Sequence, residues 1–283
     1  MNEAEIQAFW QQNPCGEMLV GGMDSYGEDI RSFFKNYDEF RYNEYPELLK
    51  CMDEMGFSGK SVLEIGLGEG ADSEQIIRRG GIWSGVDLTS ESVSRIKARM
   101  AIHDLPYREV KQGSALALPF ETGSFDKVYS CGVLHHIPDI HSAQKEIHRV
   151  LKPDGELIAM LYAKISLNYL LSIFVLRRLA LAAIYLTGIG AKEGSKAAQH
   201  VANAKKTGLL NYLKMDNFIH RNTDGPLNPY AKVYTLDEVE KDFPDFRVHR
   251  SYKNFMHAPP LPVHGFPFGS ALGWCLWVHL SPK

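Results

Sequence analysis

The stretch Ser61–Asp87, SVLEIGLGEGADSEQIIRRGGIWSGVD, constrains the fold more than any other part of the chain. Ser61–Ile65 is a short apolar run with an acid near its end, the composition of a buried parallel strand. Gly66, Gly68 and Gly70 follow within five residues. Without a Cβ, backbone at these positions can turn sharply and lie against a ligand. Ala71–Arg79 has helix-forming composition, Gly80 and Gly81 end it, and Ile82–Val86 reads as a second strand closing on Asp87. Strand, glycine turn, helix, strand and acid together form the layout of a nucleotide-binding βαβ unit. The closing acid can accept hydrogen bonds from both hydroxyls of a ribose. Gly66-x-Gly68-x-x-Ala71 alone also satisfies a dinucleotide pattern, and glycines can serve a tight turn for packing only, so the loop by itself leaves these readings open.

Composition narrows the setting. At 283 residues and 45% hydrophobic content, the chain can bury a sizeable core, as one large α/β unit or a core with an insertion. Thirty-one basic and 34 acidic residues leave a formal charge of −3, which argues against a broad nucleic-acid-binding face. Cys15, Cys51, Cys131 and Cys275 stand without a CxxC pair, so neither a disulfide framework nor a zinc site is expected, and a cytoplasmic setting is. The N-terminal MNEAEIQAFWQQNP is acidic, lacks an apolar core and is not expected to act as a signal peptide.

Around the glycine unit the chain alternates strands and helices. Upstream, Glu3–Trp10, Ile30–Arg41 and Tyr45–Met55 read as helices, with a turn at Asn13–Gly16. Downstream, Thr89 is expected to cap a helix through Met100 with a capping box, and Tyr107–Gln112 to form the third strand. Ser124–Ser130 follows as the fourth. Asp139 caps a helix through Val150, Leu151–Gly155 turns, and Glu156–Tyr162 is the fifth strand. Phe246–Tyr252 and Ala271–Leu280 complete the set.

Three motifs carry a resemblance. Glu64-Ile-Gly66-Leu-Gly68-Glu-Gly70 with Asp87 resembles motif I and the following acid of the class I S-adenosylmethionine-dependent methyltransferases. Gly113-Ser114-Ala115 through Pro119-Phe120 resembles a segment whose acid approaches the adenine amino group, with Ser114 in the acid's place. Leu134-His135-His136-Ile137-Pro138-Asp139, a helix, then Arg149-Val-Leu-Lys-Pro-Asp-Gly155 resembles the later motifs of the UbiE-like small-molecule methyltransferases. The resemblance covers Ser61–Tyr162 and implies a Rossmann-like, seven-stranded mixed α/β sheet, mostly parallel with the last strand antiparallel. It implies S-adenosylmethionine as cofactor, S-adenosylhomocysteine as product, and a cofactor site of Glu64, Gly66, Leu67, Gly68, Gly70, Asp87, Leu88, Gly113, Ser114, Ala115, Cys131, Gly132, Val133 and His136. Asp87 is expected on the ribose and Glu64 toward the methionine ammonium. Family members often fold N-terminal helices over the cofactor, which makes Tyr37, Arg41 and Tyr42 candidates for a lid.

The expected organisation is an N-terminal helical lid (1–60), a methyltransferase core (61–163), a helical cap insertion (164–234) and a C-terminal return to the core (235–283). Within the insertion, Leu167–Leu186 is strongly apolar. Arg177 and Arg178 interrupt it, so a membrane span is not expected. A cap over the acceptor site and a dimer seam both remain open. Candidate bases are His136, His135 and His220, the last oriented by Asp224; each also has a purely structural reading. His136-x4-His141 lacks supporting carboxylates, so no metal is expected. The expected function is methyl transfer to a small, partly apolar metabolite at C, O or N. Peripheral contact with a lipid-like substrate and a homodimer are admitted. The alternative is a non-catalytic cofactor-binding module, and a nicotinamide dehydrogenase is a distant third.

Overall fold

The computed structural model describes residues 2–14 and 16–283; Cys15, in the expected turn, lies outside them. The Ser61–Ile65 strand (β1) is buried at every position. It lies inside a seven-stranded sheet of order β3-β2-β1-β4-β5-β7-β6. The other strands are β2 (Ile82–Asp87), β3 (Val110–Gln112), β4 (Phe125–Cys131), β5 (Leu151–Tyr162), β6 (Phe246–Asn254) and β7 (Cys275–Pro282). β1 pairs in parallel with β2 and β4, β4 with β5, and β7 runs antiparallel to both β5 and β6. The expected Rossmann-like mixed sheet is therefore the observed one.

Side-chain alternation builds a core on each face. Val62, Tyr129, Ile158 and Trp277 pack on one side, and Leu63, Val128, Leu157 and Val278 on the other. Each fully buried aliphatic chain contributes roughly 1.5–3 kcal/mol. The chain order reverses between β2 and β4 around β1, which opens a crevice beyond the strands' carboxyl ends.

Helices α1 (Glu3–Gln12), α2 (Ile30–Glu44), α3 (Ala71–Arg78), α4 (Ser90–Ile102), α5 (Ile140–Val150), α6 (Asn168–Thr187), α7 (Lys196–Thr207) and α8 (Leu236–Asp242) surround the sheet. Several boundaries differ from the reading above. Tyr45–Met55 is not one helix, because Tyr45 precedes Pro46 and takes an extended φ of −120°, and only Leu48–Asp53 is helical. Thr89 caps α4 through the Ser92 amide alone, whereas Thr235 and Glu238 form the reciprocal box at α8. β5 begins at Leu151, where Phe125 pairs with it ahead of a bulge. β7 begins only at Cys275, because Gly269–Leu272 is a helical turn and Gly273 sits against the Asn254 carbonyl, 2.2 Å from where a Cβ would be.

Ion pairs tie the N-terminal helices to the core. Arg41 of α2 grips Asp72 of α3 at 2.7 and 2.6 Å, and Arg99 of α4 bridges Asp38 and Glu74. Arg95 joins Glu69 of the glycine loop to Glu17. Residues 164–234 leave and rejoin the sheet at the end of β5: the Tyr234 amide donates to the Tyr162 carbonyl, and the Lys164 amide to that of Tyr234.

Candidate cofactor and acceptor site

The crevice widens into a cavity of about 840 Å³. The glycine loop forms its floor. Gly66, Gly68 and Gly70 have φ of +82°, +51° and +80°. A Cβ on Gly66 would lie 2.2 Å from Val133 of the β4 loop, and one on Gly70 2.4 Å from Ile96. These two glycines let loop and core pack. At Gly68, which lines the cavity, a Cβ would meet no protein atom within 4 Å, so the backbone there leaves room for a ligand to lie against it.

Asp87 closes β2 on the cavity wall. Its Oδ2 accepts from the Leu67 amide at 2.7 Å, and its Oδ1 accepts from the Thr89 amide and hydroxyl at 2.8 Å each. Burial raises its pKa and these hydrogen bonds pull the other way. The carboxylate thus holds the loop while retaining acceptor capacity for a ribose hydroxyl. Leu88, Gly113 and Ala115 line the same wall.

Glu64 also lines the cavity and is 2% exposed. Its Oε2 accepts from the Ser73 hydroxyl at 2.6 Å and the Trp83 indole at 2.8 Å. Burial, and next the Asp72 charge, push its pKa up to about 8. Glu64 therefore anchors β1 to α3 and β2, and burial favours its neutral form.

Tyr37 and Arg41 of α2 reach the cavity, and the Arg41–Asp72 pair is completed by the Tyr129 hydroxyl at 2.8 Å from Asp72. Tyr42 does not line it; its hydroxyl donates to the Ala71 carbonyl. Cys131, Gly132 and Val133 form the β4 side of the wall. The Cys131 thiol, pushed up to about 12 by burial, stays protonated and is no nucleophile.

Three expected site residues lie elsewhere. Ser114 does not line the cavity: its hydroxyl donates to Glu3 and accepts from the Leu116 amide at 2.9 Å, so the loop consumes it. His135 is fully buried, 3.8 Å in ring separation from Tyr162, and desolvation holds its pKa far below the ordinary value. A base there has no contact with an acceptor. His220 stacks on Tyr230, bonds through Nδ1 to the Ala231 backbone, and forms no pair with Asp224. The Asp224 partner is instead His136, which does line the cavity. Its Nδ1 donates to the Tyr230 carbonyl at 2.7 Å, and its Nε2 lies 3.4 Å from Asp224 Oδ2. The Tyr162 hydroxyl donates to Asp224 Oδ1 at 2.8 Å, and Trp10 of α1 packs edge-on against His136. His136, Asp224, Tyr162 and Trp10 all face the cavity.

The expected cap is also corrected. No residue of Leu167–Leu186 lines the cavity, and the insertion reaches it at Asp224. α6 buries Asn168, Ser172 and Ile173 against the body and leaves Leu171 and Phe174 exposed, which removes the basis for a role of those two side chains in shaping the substrate pocket. A group the sequence reading did not assemble lies beside the cavity, which Glu44 and His264 line. Glu44, His257 and His264 bring ligand atoms within 4.8 Å of one another. Two imidazoles and a carboxylate are a zinc-type donor set.

Residues 63–159 match a family model described as a methyltransferase domain. A demethylmenaquinone methyltransferase of Lactococcus lactis is 34% identical over 131 residues, 45% of this chain and 49% of that one. A ubiquinone biosynthesis O-methyltransferase of Pseudomonas paraeruginosa is 31% identical over 130 residues, 42% of this chain and 55% of that one. The chain thus spans about half the length of the curated relatives it matches. Among solved structures, a S-adenosylmethionine-dependent methyltransferase of Thermotoga maritima, a possible histamine N-methyltransferase, has a TM-score of 0.53 at 16% identity, over 92% of this chain and 100% of that one. Identity that low speaks for the fold alone. S-adenosylmethionine suits the site's own features: the clear space at Gly68, the acceptor capacity of Asp87 and the buried acid Glu64. Domain match, glycine loop, closing acid and sheet order agree: residues 63–159 carry a methyltransferase domain, set in a Rossmann-like sheet of the S-adenosylmethionine-dependent methyltransferase fold.

Proposed function

We propose that the protein methylates a small, partly apolar metabolite, with cofactor and acceptor sharing one cavity. The observation that carries this is the cavity's continuity. The same space is lined by Asp87 and Gly68 and also by Trp10, Tyr162, His136, Asp224 and Phe266. At about 840 Å³ it lies in the upper part of the range for small-molecule sites, roughly 300–1,000 Å³.

The cofactor, when bound, supplies a methyl group on a positive sulfur that needs no further activation. The chain's own residues are left to orient and to manage a proton. Asp87 is assigned to the ribose. Leu67, Gly68, Leu88, Gly113, Ala115, Cys131, Gly132 and Val133 form the surrounding wall, and Tyr37 and Arg41 close it from α2. Glu64 is assigned to the methionine ammonium. Alignment of an acceptor against the cofactor can contribute about 7–11 kcal/mol by itself.

His136 and Asp224 are assigned the proton of an acceptor that arrives protonated. The His136 ring is held by the Tyr230 carbonyl at Nδ1, with its Nε2 3.4 Å from the Asp224 carboxylate. Tyr162 holds Asp224 in place from the other side. A non-catalytic, partner-binding use of the same core has no observation in its favour.

The test is transfer of isotopically labelled methyl to a panel of phenols, catechols, quinols and amines. The proposal expects label in at least one small acceptor and stoichiometric S-adenosylhomocysteine. Tight cofactor binding with no transfer to any acceptor class would count against it.

A further inference from the structure

Helix α6 turns its apolar face away from the protein. Asn168–Thr187 has a mean hydropathy of 1.8 over its most apolar window, of which 17% is buried. Leu170, Phe174, Leu179 and Leu186 emerge toward solvent along α6, whose first half, Asn168–Arg177, is wound as a π-helix rather than an α-helix. They are 48%, 46%, 65% and 77% exposed. Asn168, Ser172, Ile173 and Leu181 are buried on the other side.

That buried side is fastened by polar bonds. The Ser172 hydroxyl donates to the Pro259 carbonyl, and Arg177 donates to the Asn222 carbonyl at 2.5 Å. A helix crossing a bilayer alone is apolar on every side, so one pinned to a protein body through Arg177 lies on the surface instead. One packed face and one apolar exposed face is the arrangement of an interfacial helix.

The charge around it points to the occupant. Residues 165–214 contain seven basic side chains and one acid, Glu193, in a chain of formal charge −3. Lys192, Lys196, Lys205, Lys206 and Lys214 are exposed. Helix α7, which carries Lys196, Lys205 and Lys206, packs beside the second half of α6. A second copy of the chain fits this patch poorly. A two-fold contact sets a patch against itself, and here it would bring lysines against lysines. An anionic lipid surface takes the leucines and the lysines together.

The helix is also joined to the cavity rim. Lys253 lines the cavity and its ammonium donates to the carbonyl of Ile165, just before α6. The loop gripped by Ser172 runs on to His264 and Phe266, which line the cavity as well, and Phe266 is half-exposed.

We propose that α6 and the lysines of 192–214 dock the protein on an anionic lipid surface, with the acceptor end of the cavity held near that surface. The inference concerns where the protein works; its failure leaves the cofactor assignment standing.

The experiment is co-flotation of the full chain with phosphatidylcholine vesicles, with and without phosphatidylglycerol, over a salt series. The wild type is expected to float with the anionic vesicles, to float far less with neutral ones, and to be released by salt. The pair Leu179→Ser and Leu186→Ser, and separately Lys205→Ala and Lys206→Ala, should each weaken anionic-vesicle binding by roughly tenfold or more. S-adenosylhomocysteine affinity should stay at the wild-type value in both, which also reports that they fold. Equal binding to neutral and anionic vesicles, no binding at all, or unaltered binding by either variant overturns the proposal. So does a wild type that sediments as a dimer, ignores vesicles and becomes monomeric on the leucine substitutions.

Discussion

Replacing Asp87 with alanine separates two roles that the structure combines in one carboxylate. Three hydrogen bonds from the Leu67 amide and from Thr89 end on it. An ionised carboxylate offers about four acceptor positions, so roughly one remains toward the cavity. The substitution leaves the Leu67 and Thr89 amides short of their acceptor, at about 1–3 kcal/mol for each that water does not reach, and this appears as lost thermal stability. It also removes a charge-assisted contact to the ribose worth about 1.5–3 kcal/mol, or roughly 10- to 150-fold in Kd. Loop disorder alone also weakens cofactor, so a simple affinity loss does not separate the roles. A double-mutant cycle does. S-adenosylhomocysteine and its 2′-deoxy analogue are titrated calorimetrically into wild type and Asp87→Ala. The wild type should discriminate between the ligands by the full factor, and the variant should bind both with nearly equal weakness. A variant that still prefers the ribose by the wild-type factor refutes the assignment, whatever its absolute affinity.

Other expectations follow from the same geometry. Gly68→Val should abolish S-adenosylhomocysteine binding while near-native circular dichroism persists: the new side chain meets no protein atom within 4 Å, and its positive φ costs only about 1–2 kcal/mol. Retained binding would mean that the space is not the cofactor's. Arg41→Met leaves Asp72 buried without its cation; breaking such a pair costs about 3–5 kcal/mol, read as a clear fall in Tm, and an unchanged Tm contradicts the clamp drawn between α2 and α3. Glu64 has a folded pKa of about 8 against an ordinary 4.5, so between those values the folded state binds more protons and stability falls as pH rises, by at most about 1.4 kcal/mol per pH unit. Below the lower value both states are protonated and above the higher both are ionised, so this slope vanishes; denaturant titrations of Glu64→Gln should lack it throughout. Asp224→Asn should lower kcat by about 10²-fold on an acceptor that must lose a proton, with cofactor Kd unchanged. A matched fall in cofactor affinity would move Asp224 out of that role.

The parts of this account that could be read from the sequence are the local ones. Gly66, Gly68, Gly70 and Asp87 sit within one βαβ unit, where spacing along the chain fixes position in space, and their placement follows. The boundaries that shifted at Tyr45, Leu151 and Cys275 did so for pairing or steric reasons outside the local pattern. His136 precedes the insertion and Asp224 lies near its end, and only the return of the chain beside β5 brings them together. The proximity of His220 to Asp224 in sequence was a misleading substitute for that contact. Ser114 illustrates the same limit, because its partner Glu3 lies at the far end of the chain. Helix α6 shows another. Periodicity reveals that Leu167–Leu186 has an apolar side, but not whether that side faces the protein or the solvent. A hydrophobic pattern predicts burial only when something is there to bury it, and here the buried face is the one carrying Asn168, Ser172 and Arg177 contacts.

The most direct test of the central claim is calorimetric titration of the purified full chain with S-adenosylmethionine and, in parallel, with NADH. The account predicts one cofactor site per chain for S-adenosylmethionine, lost in Gly68→Val, and no heat from NADH at the same concentrations. Saturable NADH binding that Gly68→Val removes, with none for S-adenosylmethionine, would contradict it.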